Sequence, residues 1–250
     1  MTDNSIGERL RKNLESASDL VKKAEKKKIL VVEPFSGLSL YNEGELLILG
    51  PGLDYYESLI PGFDGMPTAI GTPKSLLAGL GRTVQRAIKR FISTWGKDDL
   101  NDEDTTSAKS NSSVIIQLIV GDHRLLFTGD AGITALSQAA DRISQETDLR
   151  FIQIPHHGSR RNVGPTVLNR LIGKPLPEGQ LRNIKAIAST AKKGEPKHPR
   201  KAVMNAFTHR GVYAVATRGT TIRYPHDAPV REGWGTVTPE PYHWEYEDEE

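Results

Sequence analysis

The sequence predicts a mixed fold of the α/β or α+β class, built as a layered sandwich. Short apolar segments typical of strands alternate with amphipathic segments typical of helices through the second half of the chain. Such alternation is typical of sheets that are covered by helices. With 250 residues, of which 37% are hydrophobic, the chain can bury one substantial core. We therefore expect one globular domain with short additions at its ends.

Composition excludes several classes of protein. The chain has no run of about 18 apolar residues, and its first residues lack both an apolar core and a small-residue cleavage site. We therefore expect a cytoplasmic protein with no membrane partner. The absence of cysteine excludes disulfides, thiolate metal sites and thiol nucleophiles, so any metal must be bound by histidine and carboxylate. The net charge of +2 neither favours nor opposes nucleic acid as a partner.

The first part of the chain predicts one helix and a few short strands. Apolar residues recur every three or four positions over residues 6–28, which predicts an amphipathic N-terminal helix within residues 1–28. Residues 29–33, 39–41 and 45–49 follow as strand candidates separated by proline and glycine. Short strands joined by turns predict a hairpin at the start of a domain that covers residues 29–224.

Residues 62–110 differ in character and are predicted to be an insertion. A helix is predicted over residues 76–94, and it carries Arg82, Arg86, Lys89 and Arg90. These cations could contact a nucleic-acid backbone or a partner, although a solvated charged face is the more common explanation. The polar tract 98–111 that follows predicts a flexible connection.

The second half predicts regular alternation. Strands are predicted over residues 114–120 and 124–128, joined by a tight turn at Gly121-Asp122. Further strands are predicted at 150–154, 184–189, 212–217 and 221–224, and helices at 133–145, 165–172 and 199–210. Residues 225–250 are predicted to form an irregular acidic tail.

Polar side chains cluster where these strands begin or end. Asn111 and Ser113 precede one strand, Asp130 follows its partner, and His156, His157 and Ser159 follow the next strand. Strand ends are where a rigid sheet displays functional groups. A carboxylate at position 130 either caps the following helix or binds a cation.

The adjacent histidines indicate a metal site. Neutral imidazole is a common metal ligand, and Gly158 lets the backbone turn closely around an ion. Neighbouring residues of an extended chain point to opposite sides, so we expect one metal ligand and one supporting residue, in either order. Ser159 could bond to either ring, and His198 could reach the same edge. His123 and His209 are predicted to be surface residues.

A series of short motifs resembles the C-terminal half of the metallo-β-lactamase fold. The motifs are N-S-S-V at 111–114, L-L-F-T-G-D at 125–130, P-H-H-G-S at 155–159, S-T at 189–190, H-P at 198–199 and T-R-G-T at 217–220. The nearest likeness is to the hydrolase domain of bacterial competence proteins, which serve DNA uptake. The resemblance implies an αββα sandwich with two divalent metal ions, zinc or manganese, that activate water for hydrolysis.

The resemblance also implies roles for single residues. Asp130 matches the metal-bridging carboxylate, and one of His156 and His157 matches the late histidine ligand. Asn111 and Ser113 match supporting polar residues, and His198 matches the histidine of a G-H-P motif, with Lys197 in place of the glycine. The candidate catalytic residues are Asp130, His156, His157, Ser159 and His198, and the candidate metal ligands are Asp130, His156 and His157.

One family motif is missing from the sequence. The metal-binding pattern H-x-H-x-D-H occurs nowhere among the seven histidines. We therefore expect a metal-dependent hydrolase, with a phosphodiester or nucleic acid as candidate substrate, whose metal site is completed by a second polypeptide. The alternatives are a catalytically inactive binding or scaffold module and a truncated product.

Overall fold

Helices and strands alternate along the part of the chain that the computed structural model describes, residues 3–40, 45–63, 90–143, 148–193, 198–225 and 228–247. The helices are α1 Asp3–Lys26, α2 Leu53–Leu59, α3 Ala108–Asn111, α4 Ile133–Ala140, α5 Pro165–Leu171 and α6 Lys201–Thr208. The strands are β1 Ser39–Leu40, β2 Leu46–Gly50, β3 Arg90–Ile92, β4 Ile115–Val120, β5 His123–Phe127, β6 Asp148–Gln153, β7 Lys185–Ala188, β8 Tyr213–Ala216 and β9 Glu245–Glu247. No helix within the described ranges is both long and apolar enough to cross a membrane.

One mixed sheet of seven strands organises the chain, in the order β1-β2-β4-β5-β6-β7-β8. Strands β1, β2, β4 and β5 pair antiparallel, whereas β5, β6, β7 and β8 pair parallel. Helices α4, α5 and α6 connect the parallel strands and contribute to one hydrophobic core with them. The mixed α/β class predicted from the alternation is therefore confirmed.

The core lies between the helices and one face of the sheet. Ala186, Ala188 and Ala214 on β7 and β8 are fully buried, and so is Phe207 of α6. Small side chains on the strands let the aromatic ring of the helix approach the sheet closely, as close packing of protein interiors requires. The parallel strands are thus held firmly where their ends carry the predicted site residues.

The residues after β8 cover part of the opposite face of the sheet. The ring of Phe151 on β6 lies 5.5 Å from that of Phe127 and 5.2 Å from that of Tyr224. Lys185 Nζ lies 5.6 Å from the centre of the Tyr224 ring. Residues 221–224, predicted as a strand, are irregular and pack over the sheet instead.

Two further local predictions are wrong. Residues 29–33 form no strand, because Ile29, Leu30, Val31 and Val32 are at least half exposed and pair with no other described strand. Residues 90–92, the end of the predicted helix 76–94, form β3, which pairs with β9 in the tail predicted to be irregular. Arg82, Arg86 and Lys89 lie outside the described residues.

The acidic tract that begins at residue 98 is packed rather than flexible. Asp99 Oδ2 accepts hydrogen bonds from Ser93 Oγ at 2.8 Å and Tyr246 Oη at 2.6 Å. Asp102 Oδ1 accepts a bond from Thr166 N in the first turn of α5, at 3.0 Å, and so caps that helix. The carboxylates therefore attach this connection to the body of the protein.

The strongest attachment is a buried charge cluster around Arg210. Its guanidinium donates to both oxygens of Asp98 at 2.7 Å, and the Arg210 side chain is fully buried. His209, predicted to be a surface residue, is also fully buried, with Nε2 3.0 Å from Asp98 Oδ1. Burial alone would raise the pKa of Asp98, but the hydrogen bonds from Arg210 and His209 lower it to about 2.

Replacing Asp98 is expected to destabilise the fold. In Asp98→Asn the free energy of unfolding at pH 7 should fall by about 2–4 kcal/mol, because Arg210 keeps a buried charge without its counter-charge. The folded pKa lies below the ordinary value of 3.8, so the stabilisation is present above pH 3.8 and is lost as the pH falls towards about 2. Urea unfolding of wild type and variant across this range measures the difference.

Asp104→Asn is the matched control for this prediction. Asp104 lies in the same acidic tract and makes no hydrogen bond or ion pair with another described residue, so its replacement should leave the free energy of unfolding within about 0.5 kcal/mol. Equal losses in the two variants, or a gap between wild type and Asp98→Asn that persists to pH 2, would contradict the assignment.

Candidate functional site

The sheet brings most of the predicted site residues to one edge. Because β4 is antiparallel to β5, its first residues lie beside the last residues of β5, β6 and β7. Asp130 N donates to Ser113 Oγ at 3.1 Å, and His156 N donates to Gly129 O at 3.0 Å. The predicted residues from three strand ends therefore form one continuous surface.

Gln153 holds two of these strand ends together. Its Oε1 accepts hydrogen bonds from Thr128 N and Gly129 N, both at 3.2 Å, while Thr128 Oγ1 donates to Gln153 O at 2.9 Å. Gly129 has φ of +53°, and a Cβ there would lie 3.1 Å from Ser113 Cβ. The loop before Asp130 is thus fixed by a side chain that sequence reasoning did not select.

Asn162 orients the first histidine and determines its tautomer. Asn162 is fully buried, and its Nδ2 donates to Asp130 O at 2.8 Å and to Ala131 O at 3.3 Å. Its Oδ1 therefore faces His156 Nδ1, 3.1 Å away, and can only accept. The proton of His156 is consequently on Nδ1, which leaves the lone pair of Nε2 available.

His157 is held in the same tautomer by a different group. Its Nδ1 lies 2.6 Å from Ser189 O at the end of β7. A carbonyl oxygen can only accept, so Nδ1 of His157 carries the proton and Nε2 carries the lone pair. A histidine that binds a metal commonly uses its other ring nitrogen to donate a hydrogen bond in this way.

The backbone of the histidine pair is not extended, as the sequence argument assumed. His156 has φ of 45° and His157 has φ of 60°, so both lie in the left-handed region inside a 3-10 turn over Pro155–Gly158. Their ring centres are 5.9 Å apart, and the ring planes are inclined at 61° to each other. The expectation that the two rings point to opposite sides therefore loses its basis.

His198 lies beside His156. The two ring centres are 6.2 Å apart, and His198 Nδ1 is buried without a hydrogen-bond partner among the described residues. Burial lowers the pKa of His198 to about 4, and the positive charges of Arg200, His156 and His157 add to the effect. His198 is therefore neutral at pH 7, the state in which imidazole can accept a proton or bind a metal.

Asp130 does not cap helix α4. The N-cap residue is Gly132, and no side chain bonds to the first turn. The Asp130 carboxylate makes no hydrogen bond or ion pair with another residue of the described ranges. The capping role considered for this carboxylate is therefore wrong, and cation binding stays a prediction.

Two supporting residues have roles that differ from those predicted. Ser159 Oγ bonds to neither histidine; their Nδ1 atoms are engaged by Asn162 and Ser189 O instead. Asn111 Oδ1 is buried with no described partner, and a Cβ on Gly132 would approach it to 2.5 Å. Asn111 therefore packs against the start of α4, whereas Ser113 directly positions Asp130.

Asp130, His156 and His157 do not form a complete metal site with the other described residues. No group of three or more His, Asp or Glu side chains in the described ranges is placed to hold a metal ion. A zinc site in a protein needs three or four protein ligands close together, and Asp130, His156 and His157 are not grouped in that way in the described structure.

Comparisons with known proteins give one partial match. A stretch of 85 residues is 28% identical to the uncharacterized protein YcaI of Escherichia coli strain K12, and it covers 34% of this chain and 11% of that protein. The chain therefore spans a small part of the length of this curated relative. No family model and no solved structure matches.

The hydrogen bonds predict the tautomers of the two histidines in solution. His156 and His157 should both be protonated on Nδ1 at pH 8, as read from long-range proton–nitrogen NMR spectra of the imidazole rings. In Asn162→Ala, His156 should shift towards the Nε2 tautomer because it loses its acceptor, while His157 in the same sample should not change. A His156 protonated on Nε2 in the wild type would contradict the assignment.

The left-handed backbone predicts an unusual effect of glycine. At position 157, the glycine variant should be more stable than the alanine variant by about 0.5–1 kcal/mol, because only alanine strains the positive φ. Both variants lose the imidazole, so their difference in urea unfolding isolates the backbone.

Glu57, an exposed residue of α2, provides the control. There the alanine variant should be the more stable by up to about 1 kcal/mol, since glycine disfavours a helix. The same order of stability at both positions would show that residue 157 is not strained.

Proposed function

We propose that the chain is part of a metal-dependent hydrolase of the metallo-β-lactamase type, with an αββα sandwich and a phosphodiester or nucleic acid as substrate. The observation that carries this proposal is the arrangement of His156 and His157. Each ring has Nδ1 engaged and Nε2 available, beside a carboxylate that is not used for capping. Side-chain or backbone acceptors that orient histidines in this way are typical of metal sites.

The chemistry of the donor groups agrees with zinc or manganese. Asp130, His156 and His157 would hold the metal, whose bound water serves as the nucleophile in hydrolysis. His198 and Ser159 lie beside the same turn, where they can contact the substrate: His198 through hydrogen bonds of its neutral ring and Ser159 through a hydroxyl that bonds to no described residue. Asn111 and Ser113 support the loop that carries Asp130.

A second polypeptide completes the site in this proposal. The described residues form no group of three metal-ligating side chains, and the H-x-H-x-D-H pattern is absent from the sequence. The sheet face opposite α4–α6 also carries partly exposed apolar side chains, Leu125 and Phe127 among them. A partner that bears the missing motif would cover this face and add the missing ligands.

One observation favours a second candidate, an inactive binding or scaffold module. The absence of a group of three or more metal-ligating side chains among the described residues is equally expected of a relative that has lost catalysis. This candidate requires no partner for metal binding, because no metal binds. The two candidates therefore differ in whether a metal ion binds once a partner is added.

The test mixes this chain with a polypeptide that is encoded by a neighbouring gene and carries an H-x-H-x-D-H motif. We expect zinc or manganese to bind the mixture and not either chain alone, as measured by equilibrium dialysis and elemental analysis. Hydrolysis of bis(p-nitrophenyl) phosphate should accompany the bound metal. Asp130→Asn should lower metal affinity by at least about tenfold, because it removes a ligand.

Asp122→Asn is the control, since Asp122 is an exposed carboxylate in the turn between β4 and β5. It should bind metal and hydrolyse the substrate like the wild type. A stable complex of the two chains that binds no metal would reject the hydrolase. A monodisperse chain whose melting temperature does not respond to zinc or manganese, with or without the partner, would support the scaffold module.

A further inference from the structure

The carbonyl that orients His157 belongs to a peptide group that is hydrogen-bonded at both ends. Ser189 O accepts the bond from His157 Nδ1, 2.6 Å away. The nitrogen of the same peptide group is Thr190 N, which donates to Thr217 Oγ1 at 2.7 Å. Because a trans peptide is planar, with its C=O and N–H pointing in opposite directions, fixing the N–H also fixes the direction of the carbonyl. Thr217 therefore acts on His157 through one peptide group.

The hydroxyl of Thr217 is bound in a single orientation. Its Oγ1 accepts from Thr190 N and donates its own proton to Thr190 O at 2.9 Å. A hydroxyl has one proton and two lone pairs, so it can make both bonds at once. The branched side chain is also stiff about χ1, and Thr217 N donates to Ala188 O at 3.0 Å. The position of Oγ1 is therefore fixed relative to the end of β7.

Thr190 completes this connection from the other side. Its Oγ1 accepts a hydrogen bond from Arg218 N at 3.0 Å, and its O accepts a second bond from Gly219 N at 2.9 Å. Thr190 is 8% exposed, so water has little access to replace these bonds if they are lost. The turn at residues 217–220, which follows β8, is thus joined to the residue that carries the peptide nitrogen.

His157 depends on this support because its side chain lies at the surface. An exposed side chain ordinarily samples several rotamers, and holding it in one costs conformational entropy. His156 is oriented by Asn162, a fully buried side chain. The described acceptor for His157 is instead the Ser189 carbonyl, so the direction of that carbonyl determines how Nε2 of His157 is presented.

We propose that Thr217 is a positioning residue for His157. It holds the peptide group between Ser189 and Thr190, so that His157 keeps its proton on Nδ1 and its lone pair on Nε2. Hydrogen bonds in a chain polarise one another, so the bond to the amide also makes the carbonyl a better acceptor. The consequence for metal binding rests on the proposed function, whereas the effect on the His157 ring does not.

The experiment measures the tautomers of both histidines in the metal-free full chain at pH 8, from long-range proton–nitrogen NMR spectra. In Thr217→Val the ratio of the Nε2–H to the Nδ1–H tautomer of His157 should rise about fivefold, the equivalent of one hydrogen bond. His156 in the same sample should not change, since its acceptor is Asn162. A hydroxyl that only joined β7 to β8 would leave the tautomers of both rings unchanged.

Two further variants at position 217 separate the hydroxyl from the shape of the side chain. Thr217→Ser keeps the hydroxyl and should retain the wild-type tautomer of His157. Thr217→Ala removes the hydroxyl without a branched side chain and should shift the tautomer in the same direction as Thr217→Val. The test therefore does not depend on the folding of one variant.

Thr220→Val is the matched control. Thr220 lies in the same turn, and its Oγ1 donates to Thr217 O at 2.5 Å, so this substitution removes a hydroxyl that does not touch the peptide group. His157 should keep its wild-type tautomer. Wild-type tautomers in both Thr217→Val and Thr217→Ala, an equal shift in Thr220→Val, or a shift in Thr217→Ser would overturn the positioning role.

A second measurement adds zinc and the partner polypeptide of the proposed hydrolase. Thr217→Val should weaken zinc binding by the mixture about tenfold, as is typical when a group that orients a metal ligand is lost, and Thr220→Val should not. A mixture that binds no metal rejects the hydrolase, and the tautomers alone then decide the role of Thr217. A mixture that binds metal while His157 keeps its tautomer in the Thr217 variants overturns the positioning role and not the hydrolase.

Discussion

The sheet edge that carries the candidate site depends for its position on one buried charge, the guanidinium of Arg210. It donates to Asp98, Asn169 and the backbone carbonyl of Ala206, and so joins α5, α6 and the connection that precedes β4. Replacing a buried ion pair by apolar groups can be neutral, but removing one partner is costly. The ion pair therefore serves mainly to fix the position of the connection, although removing only one of its partners destabilises the fold. The effect reaches the histidine turn, because Arg160 donates to Asp99 O at 2.8 Å.

The histidine turn itself is a case of local strain held by its surroundings. Two adjacent non-glycine residues with positive φ cost of the order of 1–3 kcal/mol each and persist only where neighbouring contacts require them. Here the contacts are Asn162 to His156, Ser189 O to His157, and Pro199 against Gly158, where a Cβ would lie 2.5 Å from the proline Cβ. The first two contacts engage Nδ1 of each histidine and leave Nε2 without a bond to a described residue.

The sequence could locate the strand ends that carry the candidate site, but not the contacts that hold their side chains in place. The strands between residues 115 and 216 are apolar segments bounded by turns, so their positions and their polar ends were predictable within a few residues. Asn162 and Gln153 carry no comparable signal, since each is a single polar residue whose role depends on a carbonyl or an amide from another strand. The acidic tract was misjudged for the same reason: the partner of Asp98 is 112 residues further along the chain.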